Sequence, residues 1–250
     1  MMRARRTTGR SGSWFVPALA IALFCSAASA ATFGLSPLRV DLSGAAPTAV
    51  LTLTNGGDTP VTLQIQARSW RQVNGQDEQA PTTDFIVNPA AVTVPPGGEQ
   101  IVRIALRTAP DRTTERAYRL VVREVPVPEP GAAPGSLGLR MALAMDIPAY
   151  VAPVSTDGVP RPSFTLERSP EGAIQVRISN QGERHLRLTE FAITQGTRTL
   201  VEQNVFVVLP GVVRHLLLPS NTLTAGEPFK IRAQSNVGPL EATLEAVPRR

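Results

Sequence analysis

From Leu35 onward the chain runs in short stretches that alternate apolar and polar residues, each closed by a cluster of turn formers. A period of two sends one face of a strand into a core and the other into water. In the first half this pattern predicts strands over Leu35–Leu42, Ala49–Asn55, Val61–Trp70, Phe85–Val87, Ala91–Val94, Gln100–Leu106, Ala117–Val125 and Leu137–Ile147. In the second half it predicts Phe164–Leu166, Ile174–Ser179, Leu186–Thr194, Thr199–Val201, Val205–Leu209, Val213–Leu218, Phe229–Gln234 and Leu240–Val247. The punctuation includes Asn55-Gly56-Gly57, Pro95-Pro96-Gly97-Gly98 and Asn180-Gln181-Gly182, where glycine supplies positive φ and proline a fixed φ. No convincing stripe of helical period stands out, and 23 prolines would interrupt most long helices.

Seven or eight short strands at this spacing read as an immunoglobulin-like sandwich, and the chain holds two such sets. Between them, Ala152-Pro153 to Pro160-Arg161-Pro162 is rich in Pro, Ser and Gly and reads as a short, stiff linker. The expected fold class is therefore all-β: two immunoglobulin-like β-sandwich domains in series, 31–151 and 152–250, set at an angle with a cleft between them.

Residues 1–30 are expected to be a signal peptide. Arg3, Arg5, Arg6 and Arg10 precede an apolar run from Trp14 to Cys25, and Ala28-Ser29-Ala30 offers a small-residue cleavage site. The run is short for a membrane span, so no membrane insertion is expected after cleavage. Removing it changes the charge picture. Of 25 Lys+Arg, four leave with the signal, while all 20 Asp+Glu stay, so the mature chain is nearly neutral and no nucleic-acid partner is expected. The only cysteine, Cys25, leaves as well, so burial alone must hold the domains.

Catalytic chemistry has little to stand on. His185 and His215 are the two histidines, both in alternating runs that suit a solvent-facing or satisfied strand histidine. No zinc-protease, nucleophile-elbow, phosphate-loop or dinucleotide signature is present. The expectation is a binding protein with no catalytic residue, no metal and no cofactor.

Three segments resemble the periplasmic pilus chaperones, the PapD-like family. They are Ser36 to Leu42; Ala67 to Trp70 with Phe85 to Pro89 and Pro96 to Ile104; and Glu115 to Pro126, followed by Leu137 to Pro153. The resemblance implies a periplasmic protein whose partners are pilus subunits and an outer-membrane usher. Such a chaperone lends a strand to a subunit sandwich that lacks one, and holds the subunit's terminal carboxylate with basic residues in the cleft. Here the lent face would be Leu137, Leu139, Met141, Leu143 and Met145. Flexible methionines suit a strand that serves several subunits. An exported two-domain immunoglobulin-like adhesin or surface component, displaying loops instead of lending a strand, is the competing expectation.

The resemblance also shows where this chain departs. Arg39 matches the first anchoring arginine, but Pro148 stands where a lysine is usual, a form similar to the archaic-type branch. The expected replacement cation is Arg119; Arg123 shares its strand face by parity and Arg116 does not. Glu115 matches an acidic residue that helps fix the interdomain angle. Ala152 and Asn236 stand where its partners would be, so the same ion-pair network is not expected.

Overall fold

The computed structural model describes residues 33–126, 142–155, 157–219 and 223–245. Every regular element among them is a strand. The first sandwich is built from β1 (Phe33–Ser36), β2 (Val40–Leu42), β3 (Thr48–Asn55), β4 (Val61–Val73), β5 (Gln76–Pro81), β6 (Phe85–Asn88), β7 (Ala91–Val94), β8 (Glu99–Leu106), β9 (Arg116–Glu124) and β10 (Ala144–Val151). One sheet runs β1-β3-β8-β6; the other runs β2-β10-β9-β4-β5, with β7 also pairing with β4. Alternation closes the two sheets on each other. Leu51, Leu53, Leu63, Ile104 and Leu120 are wholly buried between them, each contributing about 1.5–3 kcal/mol of burial.

The second sandwich holds β11 (Pro162–Arg168), β12 (Ile174–Asn180), β13 (Leu186–Gln195), β14 (Arg198–Val208), β15 (Val213–Leu217), β16 (Phe229–Ser235) and β17 (Gly238–Leu244). Its sheets are β11-β12-β15 and β14-β13-β16-β17. Val176, Ile178, Leu188, Phe191 and Phe229 fill its core. Trp70, Tyr150 and Leu209 form a separate apolar cluster where the two sandwiches meet.

Among the local differences from the sequence expectation, the stretch Leu35–Leu42, expected as one strand, is split between β1 and β2, which join different sheets. The hairpin β4–β5 has no apolar alternation in its second arm, Gln76–Pro81, and so is not predicted from pattern. Its turn is Asn74-Gly75, both at positive φ, which matches the twist of the flanking strands. In the second sandwich β14 is one continuous strand where two were expected. It lies at a sheet edge, so polar residues such as Glu202 and Gln203 interrupt the pattern without interrupting the ladder.

The linker is strapped down at both ends. Val154 and Ser155 donate their N–H groups to the carbonyls of Asp111 and Arg112 (2.8 and 2.9 Å), and Gln181 N–H bonds Arg161 C=O (3.0 Å). Gly182 lies directly under Val159 and Pro160, and a Cβ there would collide with their backbone.

Candidate functional site

Strand β10 is the centre of the site. On one side it pairs antiparallel with β9 from Ala144 to Val151. On the other, the parallel strand β2 covers only Ala149, Tyr150 and Val151. Among the described residues no strand pairs with this second side from Ala144 to Pro148. Among the described residues those five therefore form an unpaired sheet edge.

The direction of the main-chain groups follows from single bonds. Glu124 N–H donates to Leu143 C=O (2.9 Å), so Leu143 faces β9; Ala152 N–H donates to Leu42 C=O (2.8 Å), so Ala152 faces β2. Alternation then turns Met145 and Ile147 toward β9, and Ala144, Asp146 and Pro148 toward the open side. Proline at 148 thus costs the β9 ladder nothing, because its missing N–H would have pointed outward.

The register across the sheet sets a row of side chains beside Pro148. Arg119 is opposite Pro148, and Arg68 is opposite Arg119. On the other flank Val40 is opposite Ala149, so the preceding residue, Arg39, stands beside Pro148. These even-face positions of β10 point away from the core of their own sandwich, where Tyr150 meets the second domain. The two arginines expected from sequence therefore lie in one row, two strands apart.

Each of them is already engaged. Arg39 Nε donates to Asp41 Oδ2 at 2.8 Å, with both side chains about half exposed. The Arg119 guanidinium sits 3.7 Å over the Trp70 ring, a stacking that desolvation strengthens. Its Nη1 lies 3.7 Å from Asp146 Oδ1, and Asp146 Oδ2 accepts a hydrogen bond from Gln79 Nε2 at 2.7 Å. Arg123, the other candidate, donates to Gln64 Oε1 through both Nε and Nη2 farther along the strand. Arg116 bonds the Ala109 carbonyl and lies 4.0 Å from Asp84.

Of the five residues expected on the lent face, Leu137, Leu139 and Met141 lie outside the described residues. Leu143 is 44 % exposed, while Met145 packs partly against its own domain's core. The face therefore turns inward as it approaches Pro148.

The junction beneath the row holds a partner for Glu115 other than Ala152 and Asn236. Glu115 does have a partner, and it is His185. The Glu115 Oε1 accepts from the His185 backbone N–H (2.9 Å) and lies 2.6 Å from its Nδ1, with both side chains buried. The His185 ring stacks on Tyr150 at 3.7 Å and 3°. Asn236 Nδ2 donates to the His185 carbonyl (3.0 Å), so it serves the histidine and not the acid. Burial pushes the Tyr150 phenol well above its ordinary pKa, with the Arg119 and Arg39 charges opposing. Gln72 completes the junction: its Nε2 donates to Val207 C=O (3.0 Å) and its Oε1 accepts from Leu209 N–H (2.9 Å). Sequence reasoning missed both partners because each contact joins residues at least 70 positions apart.

The comparisons agree with this architecture. Residues 32–157 match the family described as pili and flagellar-assembly chaperone, PapD N-terminal domain. No curated protein matches the chain by sequence. Among solved structures, the chain is similar to the CsuC–CsuE chaperone–tip adhesion subunit pre-assembly complex of the archaic chaperone-usher Csu pili of Acinetobacter baumannii (17% identity, 86% of this chain and 98% of that chain, TM-score 0.67). It is also similar to the YadV chaperone (16% identity, 85% and 98% covered, TM-score 0.61). A third is the Salmonella enterica SafA pilin in complex with the SafB chaperone (17% identity, 89% and 99% covered, TM-score 0.58). At these identities the likeness is one of fold.

Proposed function

The chain belongs to the pilus and flagellar-assembly chaperone family, and we propose that it works in the periplasm, capping pilus subunits by strand addition and passing them to an outer-membrane usher. The observation that carries this reading is the unpaired edge of β10, which stops where β2 begins. Such an edge offers main-chain hydrogen bonds to any extended partner regardless of its sequence. The apolar side chains from Leu137 to Leu143 would enter the subunit's groove. Arg39 and Arg119, flanking Pro148, would hold the subunit's terminal carboxylate, each guanidinium presenting a fork of donors. The work is binding, with no nucleotide and no metal consumed. Likeness of fold to a chaperone of an archaic pilus system supports placing it in that branch. Residues 1–30 would serve as the export signal, 31–151 as the capturing domain and 152–250 as its partner domain.

The test is co-expression with a pilin subunit in the periplasm, followed by co-purification. Losing one partner of a desolvated charged contact costs roughly 2–5 kcal/mol, about 30-fold or more in affinity. Arg39→Ala should nearly abolish capture while the chaperone stays folded, and Arg119→Ala should weaken it. If Arg119→Ala captures normally and Arg123→Ala does not, the second anchor lies elsewhere on the strand.

A further inference from the structure

Resting on that reading, we propose that Asp146 is a resident counter-ion that the subunit's terminal carboxylate must displace from Arg119. Three observations meet at this side chain. Among the described residues Asp146 is the carboxylate within salt-bridge reach of Arg119. Its own strand position, two residues before Pro148, turns its main chain to the open edge, so an incoming strand must pass directly beside it. And Gln79 fixes it there through its other oxygen.

The geometry is that of a placeholder and not of a tight pair. At 3.7 Å the contact with Arg119 Nη1 is too long for a hydrogen bond. The Arg119 Nε has no hydrogen-bond partner among the described residues. The Trp70 ring occupies one face of the guanidinium and fixes its plane. What Asp146 supplies is charge, at a spot where the register sets Arg68 directly opposite Arg119. Two like charges facing across a ladder repel, and Asp146 offsets this in the empty protein. A terminal carboxylate can do the same with two in-line oxygens and true hydrogen bonds. It then meets the negative charge of Asp146 within a few ångströms. Asp146 therefore keeps Arg119 in place while no subunit is bound and weakens the grip once one is.

The experiment measures how fast a labelled, co-expressed pilin subunit leaves the purified chaperone when chased with excess unlabelled subunit. Asp146→Asn keeps shape and the Gln79 contact but removes the charge. Loss of the subunit should slow by about fivefold, the scale of one charge interaction in partly exposed surroundings. The slowing should vanish in an Asp146→Asn/Arg119→Ala double variant, and with a subunit whose C-terminus is extended beyond its natural end. Loss from Asp146→Asn at the parent rate, or faster, overturns the proposal; the faster result makes Asp146 a positioning residue for Arg119. If Arg39→Ala and Arg119→Ala themselves release the subunit at the parent rate, the anchor reading falls, and this proposal with it.

Discussion

Asn55 and Asn180 do the same job at the ends of β3 and β12. Each side chain is buried, 3 % and 0 % exposed, yet neither lacks a partner. Asn55 Nδ2 donates to the carbonyls of Thr59 and Val94, and its Oδ1 accepts from Gly57 N–H. Asn180 Nδ2 donates to the carbonyls of Arg184 and Val208, and its Oδ1 accepts from Gly182 and Arg161 N–H. An amide satisfied on both sides cross-links strands that have no ladder between them. Asn180 also ties the linker, through Arg161, to the turn that Gly182 shapes. Asn180→Ala should strand several buried backbone groups at about 1–3 kcal/mol each. Thermal unfolding should show the second domain melting earlier while the first is unchanged; equal melting would mean that water replaces the amide. The sequence marked both Asn-x-Gly triplets as turns, because asparagine and glycine are local signals. What the amides reach 28 or more residues away is tertiary and leaves no local trace.

At the scale of elements, most strands were legible because burial on one face imposes alternation. Those that escaped are those that burial does not govern. β5 reads Gln-Asp-Glu-Gln-Ala-Pro and is almost wholly exposed, so its only sequence mark is the Asn74-Gly75 turn before it. Arg39 and Arg119 are anchor candidates through a resemblance alone; that they share a row with Pro148 and Arg68 follows from the register of four strands. The strand proposed to be lent invites its own test. Leu143 is exposed in the free protein, so its size serves no core of its own. Replacing Leu139 and Leu143 with Thr should leave the unfolding free energy within about 0.5 kcal/mol of the parent, the range expected if neither side chain packs in this protein's own core. Each substitution should cut co-purified subunit several-fold, in line with roughly 1.5–3 kcal/mol per buried apolar side chain. Undiminished capture by both variants would remove this face from the interface.

The two sandwiches form one molecule because their junction is specific. Gln72 reaches from β4 to two backbone groups around Leu209, Glu115 reaches to His185, and Tyr150 stacks against the same histidine. Among the described residues Trp70, Tyr150 and Leu209 are buried there with Ala117, Val207 and Val212 packed against them, so these polar contacts join a small apolar cluster. His185→Ala removes the ring that both Tyr150 and Glu115 use. Small-angle scattering should then show a broader distribution of interdomain separations, with each domain still folded. Subunit capture should fall, since Tyr150 lies on the strand that carries Pro148. An unchanged scattering profile would assign the angle to Gln72 and the linker instead. Pro148 has a further meaning at this scale. An extended partner lying along β10 can accept N–H bonds from Ala144 and Asp146 but none from residue 148, and there it meets the arginine row. Ladder and charge end at one line, which makes the strand a ruler with its zero mark built in. If the proposed anchor holds, partners of different sequence would be seated by the same two stops, and their alignment would be set first by the chaperone.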